Sequence, residues 1–413
     1  MAPSTVYSPR LVWRLSLAQL ISWGSIFYMF SLVLEPLERD LGLSRAEVSL
    51  AFSLGLLAEG LMAYPVGRWI DQGHERLVMT GGSLLAGLCL ALHSQVTGLA
   101  GLYVVWLGLG AAMAAVLYSP AFALVTRRFP HDFRRAIITL TFLGGLASTV
   151  FIPLTSSLIN SLGWRQTLLC LALLHWLVCA PLHALTLKGA PAYPVPKNRA
   201  GAGASANAQA GQARSAALRQ LVRTAPFLWV GVFTVTMMSV TVAIPAHMVS
   251  LLRENHLPET WVIALPAAIG LAQVLGRLLL YLFEHHADLH VVNRLIPMLI
   301  PLGVLVLLLA PFTGAWQVAV VGLFVAVYGL GNGMLTIVKG TAMAQYVSRD
   351  HVASLNGALG VPLALARAAA PLLLGVMWSP QVGYRHGLWL LLALSVLGVL
   401  ALALAQRHPV RDV

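Results

Sequence analysis

The chain has 413 residues, 58% of them hydrophobic and only 10% charged, with a mean hydropathy of +0.81. Soluble domains carry about 45–50% apolar residues, so a soluble enzyme is excluded. The net charge of +12 does not make a nucleic-acid binder either, because the basic residues are spread over alternate loops and build no single patch.

Apolar runs recur along the whole chain, each about 20 residues long and able to cross ~30 Å of hydrocarbon as a helix. They predict twelve spanning helices near 12–37, 45–69, 76–96, 99–127, 134–160, 164–187, 224–252, 260–283, 290–310, 315–346, 352–378 and 386–406. The first run follows Arg10 and Arg14 and continues to Leu37 without the small-residue cleavage site of a signal peptide, so it is expected to remain as a span. The second run holds Glu59, the one acid deep inside a span. It ends in "GRWIDQGHER" (67–76), a dense knot of charge with two glycines in an otherwise apolar chain.

The three cysteines, Cys89, Cys170 and Cys179, lie within apolar runs and show neither a disulfide framework nor a metal-ligand spacing. His175, His183 and His247 are single histidines within spans, expected to pack or to bond helix to helix. Trp23, Tyr28 and Tyr118 could line a cavity or simply pack. After the sixth run, residues 188–223 are rich in Ala, Gly and Pro, with six basic residues and no acid. That composition builds no core and predicts a flexible linker, dividing the chain into 1–187, 188–223 and 224–413.

Three cations lie inside the later spans: Arg277 in the eighth, Lys339 in the tenth and Arg367 in the eleventh. An ionisable side chain at mid-bilayer costs about 2.5–3.5 kcal/mol on insertion scales, so each is expected to have a partner or a task. For Lys339 and Arg277 the alternative is snorkelling to the surface. Asn332, between two glycines of the tenth span, can bond a solute or bridge helices. Arg367, close to the middle of its span, is expected to be a substrate or gating charge, the alternative being a structural arginine bonded to backbone carbonyls. The cations outweigh the one acid, which favours a carboxylate-bearing anion; drug or toxic-compound efflux is the competing reading. "EHHADLH" (284–290) places His286 and His290 four apart but without a third placed ligand, and is read as a polar loop rather than a metal site.

Placing both termini in the cytoplasm assigns 18 of the 26 Lys and Arg to inner segments and five to outer loops, a positive-inside bias. The two halves also repeat at an offset of about 213–221 residues: "ERDLGLSRAE" (38–47) with "LRENHLPETW" (252–261), "GLGAAMAAVLY" (108–118) with "GLGNGMLTIVK" (329–339), and Pro153 before "GWR" with Pro371 before "GYR". Six helices, a linker and six helices in the same orientation describe two parallel repeats, with a site near the midplane between them.

With these features the whole chain resembles the major facilitator superfamily. Gly67, Asp71, Gly73 and Arg76 match its loop signature between helices 2 and 3, with Gln72 where a base often follows the acid and Arg68 adding charge. The resemblance implies an all-α membrane protein of two six-helix bundles, and a knot that latches the halves together on the cytoplasmic side in one state. It also implies that helices 2 and 11 face each other between the halves, so a Glu59–Arg367 pair is expected, either static or exchanging Glu59 between a proton and the arginine. Only Glu284 keeps an acid at the second-half counterpart. "SWG" (22–24), "LGLSRAEVSL" (41–50) and Arg277 further resemble the monocarboxylate porter branch, which implies contact between Arg277 and a substrate carboxylate. Leu20 and Gln273 stand where that branch has acids tied to proton coupling.

The expectation is therefore a secondary transporter, not an enzyme. It needs no cofactor, and no phosphate-binding loop is present. Its expected partners are a small-molecule substrate, the lipid bilayer and a proton or another coupling ion. It is expected to be a monomer in a bacterial inner membrane, an address drawn from the excess of arginine over lysine and the compact chain.

Overall fold

The computed structural model describes residues 7–129, 131–188, 218–283, 288–348 and 351–407. Among them, twelve helices are long and apolar enough to cross a membrane: α1 (Pro9–Leu41), α2 (Arg45–Asp71), α3 (Glu75–His93), α4 (Leu99–Arg128), α5 (Arg135–Leu162), α6 (Trp164–Thr186), α7 (Ala225–Glu254), α8 (Glu259–Leu280), α9 (His290–Phe312), α10 (Gly314–Tyr346), α11 (Gly360–Met377) and α12 (Arg385–Arg407). They form two six-helix bundles, α1–α6 and α7–α12. We call the face where α1 begins the near face, and the face carrying the α1–α2 and α7–α8 turns the far face.

Local chemistry sets the ends. Gly42 at φ 65 caps α1, a left-handed position that glycine adopts without strain. Ser44 and Glu47 then form a capping box that starts α2. The eleventh span begins at Gly360 and not at 352, because a separate short helix, Val352–Ala358, precedes it. Pro362 has no amide to offer the Ala358 carbonyl, so the ladder breaks there. Two spans contain a π-helical turn, Trp23–Tyr28 in α1 and His175–Cys179 in α6. α4 breaks at Leu117, whose backbone is extended.

Within each bundle, glycines bring backbones together at corresponding places. A Cβ on Gly110 of α4 would stand 2.0 Å from the Gly55 carbonyl oxygen of α2, and one on Gly333 of α10 would stand 2.1 Å from the Gln273 carbonyl oxygen of α8. Between the bundles, α2 packs along α11 and α5 along α8. The α2–α11 seam runs from Gly375 against Ser49 at the far side to Gly60 against Ala364 about midway. Past that point toward the near face, Leu61, Tyr64 and Val361 are strongly exposed.

Residues 189–217, most of the predicted linker, lie outside the described residues, as do Glu284 and His286.

Candidate functional site

Charge is concentrated where the halves meet at the far face. Arg45, only 7% exposed at the start of α2, donates to both carboxylate oxygens of Glu38 at 2.7 and 2.8 Å. Its remaining nitrogen crosses to the second bundle, reaching Glu254 at 2.8 Å and the Tyr384 hydroxyl at 3.0 Å. The guanidinium also lies 4.1 Å from the Trp378 ring centre, a cation–π contact, and the Trp378 indole donates to Glu254.

Gly383, at φ 55, turns the chain so that Tyr384 points inward. Burial raises the Tyr384 phenol above its ordinary range, so it stays a neutral hydroxyl between Arg45 and His247. His247 is itself fixed by the Pro371 carbonyl at 2.9 Å. A second crossing pairs Arg253 with Glu35, and Arg253 also holds Glu259 at 3.1 Å. The two turns use the same device: Arg45 and Arg253 each hold an acid of their own turn, Glu38 and Glu259, and each reaches across to an acid of the other half.

About midway along α2 and α11 the predicted ion pair is present. Arg367 donates to Glu59 at 3.2 Å, with both groups largely buried between α2 and α11. Lys339 is half-buried, within electrostatic reach of Arg367. Asn332 is half-buried on α10, one position before the glycine that touches α8. Arg277 is different. It donates to the Thr141 carbonyl at 2.6 Å across the α5–α8 seam, and its Nε has no partner. Among the described residues no carboxylate pairs with it. Around it stand Tyr118 and Tyr28, the latter beside Gln273 and Ser148. Trp23 stacks at a tilt on Tyr118, 5.0 Å between ring centres. Thr149 donates to the Ala267 carbonyl at 2.7 Å and ties the same seam. The result is a cluster of phenols, amide and hydroxyl around a guanidinium that has no carboxylate partner among the described residues, chemistry suited to an anion.

The Major Facilitator Superfamily profile matches residues 15–299. The chain belongs to this superfamily. It is 29% identical over 338 residues to monocarboxylate transporter 13 of Bos taurus, covering 77% of this chain and 73% of that one. Its fold is similar to that of a point mutant of the nucleoside transporter NupG, with a TM-score of 0.74 at 16% identity over 96% of this chain and 99% of that one. A bacterial homologue of the human lysosomal transporter Spinster, in an inward-facing and occupied conformation, gives a TM-score of 0.71 at 16% identity over 97% of each chain.

As a member of the major facilitator superfamily, the chain has its signature knot at the near face. Gly73 takes φ 88 and makes the turn between α2 and α3. Arg76 donates to the Ala184 carbonyl of α6 at 2.8 Å. Next to it Glu75 is buried and held by Arg128 at 3.0 Å. Arg68 and Asp71 are exposed, and Gly67 has open space around it. Every bond recorded for the knot among the described residues stays within its own half.

The far-face residues Glu35, Glu38, Arg253, Glu254, Trp378, Tyr384 and His247 are functional candidates that reading the sequence missed. The signal was available. Arg45 and Glu254 both lie inside the two aligned segments that revealed the repeat, where Arg45 aligns with Glu259 and Glu254 with Asp40.

Proposed function

We propose that this protein moves a small carboxylate-bearing anion across the cytoplasmic membrane by alternating access. The observation that carries this reading is Arg277, a guanidinium between the halves with phenols around it and no carboxylate partner among the described residues. Arg367 is already neutralised by Glu59, so the two arginines take different tasks. Arg277 clamps the substrate carboxylate, with Asn332 and Lys339 contributing from α10. Arg367 and Glu59 gate, opening and closing the α2–α11 seam as the halves rock. The similarity to a monocarboxylate transporter supports the same solute class.

With both termini cytoplasmic, the far face is external and its ion pairs close the outer gate, so the substrate pocket opens inward. The knot of Gly67, Arg68, Asp71, Gly73 and Arg76 is then unlatched, and takes up its cross-half partners in the outward-facing state. The chain acts as a monomer with two bundles, 1–187 and 224–413, joined by the basic linker 188–223.

The test is ligand-induced thermal stabilisation of purified protein against pyruvate, L-lactate, benzoate and tetraphenylphosphonium. Carboxylates should raise the melting temperature of the wild type and of Arg367→Gln, and leave Arg277→Gln unmoved. Stabilisation by the cation alone, or by carboxylates equally in all three proteins, rejects the anion site in favour of efflux.

A further inference from the structure

The two halves treat one corresponding place at the far face differently. In the first half Arg165, at the start of α6, donates to the Ser94 and Val96 carbonyls just past the end of α3, at 2.7 and 2.9 Å. Its guanidinium lies 4.3 Å from the Trp164 ring centre, and the Trp164 indole donates to Asp40 at 2.7 Å. The α5–α6 turn is thereby closed onto the ends of α1 and α3. The repeat pairs Arg165 with Arg385 and Asp40 with Glu254.

The second half lacks this closure. Arg385 is exposed, and among the described residues its side chain has no recorded hydrogen bond or ion pair. Between the α11–α12 turn and the far ends of α7 and α9 there is instead a cavity of about 680 Å³, within the range of roughly 300–1,000 Å³ typical of small-molecule sites.

Charge is arranged at two depths of this cavity. Glu254, half-buried in its wall, receives both Arg45 and the Trp378 indole on one oxygen, Oε1. Among the described residues nothing donates to Oε2. Gly383 leaves that oxygen its place, since a Cβ there would stand 2.7 Å from it. Arg385 and His256 line the cavity from exposed positions. His256 takes φ 57, a left-handed backbone uncommon outside glycine. An acceptor in the wall and two cationic or donor groups at the rim suit a zwitterion with an ammonium at its tip and a phosphate behind it. The ammonium must be primary, because a quaternary one has no N–H to offer Oε2.

The rest of the lining includes apolar Leu307, Leu308, Pro311 and Phe312 of α9. Leu305, Leu309 and Phe312, four and three residues apart, are exposed, so an apolar stripe leads down α9 from the cavity. Trp316, at the start of α10, is 74% exposed. Exposed aromatic residues at the ends of spans mark the height of lipid headgroups.

We propose that this cavity holds the headgroup of a phosphatidylethanolamine-type phospholipid of the far-face leaflet. Its ammonium bonds Glu254 Oε2, its phosphate meets Arg385 and His256, and its chains lie along the α9 stripe. The lipid then closes the α11–α12 turn onto α7 and α9, as Arg165 closes the corresponding turn of the first half. It shares Glu254 with Arg45 through different oxygens, so neither displaces the other.

The test is native mass spectrometry of the full chain with added dioleoyl phosphatidylethanolamine or dioleoyl phosphatidylcholine. It involves no transported solute and is independent of the anion reading. The wild type should hold its first phosphatidylethanolamine about tenfold more tightly than phosphatidylcholine, the worth of one charge-assisted hydrogen bond. Arg385→Gln, and Val382→Trp, which narrows the cavity without touching a charge, should each lose a similar factor in phosphatidylethanolamine affinity. Arg39→Gln, at the exposed turn of the first half, should lose none. Equal affinity for the two lipids in the wild type, or unchanged phosphatidylethanolamine binding in either cavity variant, overturns the proposal. O-phosphoethanolamine has the same charges without chains. In equimolar amount it should leave the lipid bound, and displacement rejects the lipid in favour of a soluble zwitterion.

Discussion

The two faces of this protein both carry dense charge, but they use it differently. At the far face Arg45 is nearly enclosed and holds groups from both halves at once, while at the near face Arg68 and Asp71 of the signature knot lie open. The glycine-marked knot is the family's most recognisable feature, yet in this conformation the far-face turns hold the halves together. Recognisability and mechanical load are separate properties.

Breaking the comparison starts with Arg45. Arg45→Ala leaves Glu38 and Glu254 without their shared cation, and removing one partner of a buried pair costs about 3–5 kcal/mol. That is enough to move a two-state equilibrium by more than a hundredfold. Spin labels at Arg39 and Arg385, both exposed, should report a long far-face distance dominating in the variant and a short one in the wild type.

A smaller loss is expected from Gly110→Ala. A methyl aimed at the Gly55 carbonyl oxygen must push α2 and α4 apart, at a cost of about 1–3 kcal/mol. It should lower the melting temperature without changing the far-face distance. Tyr384→Phe removes one hydroxyl shared by Arg45 and His247 and should cost about 1 kcal/mol, seen as a modest rise in the open population. Asp71→Asn sharpens the contrast from the other side. Its effect on the stability of this state should stay within about 0.5 kcal/mol, while exchange of a carboxylate probe across proteoliposomes slows, because the latch fails in the opposite state.

Much of the fold was legible because membrane helices advertise themselves by length and apolarity. The Glu59–Arg367 pair was also legible, since a lone deep acid and a deep arginine in packed helices have few other partners. The start of α11 was not: the helical pattern continues across Pro362, and only the missing amide divides it. The far-face gate was hidden for another reason. Its residues lie at helix ends, where charge is ordinary, and their value comes from meeting across two hundred residues. The buried histidines were correctly read as helix-to-helix bonds, to Ser25 and Ser83.

The glycine contacts at Gly110 and Gly333 set the kind of motion available. With backbone resting on backbone, α2 cannot slide on α4 nor α8 on α10, so each bundle behaves as a stiff lever. Stiff levers transmit a push over their full length. A displacement at the Arg277–Thr141 contact in the middle is therefore carried toward both faces at once.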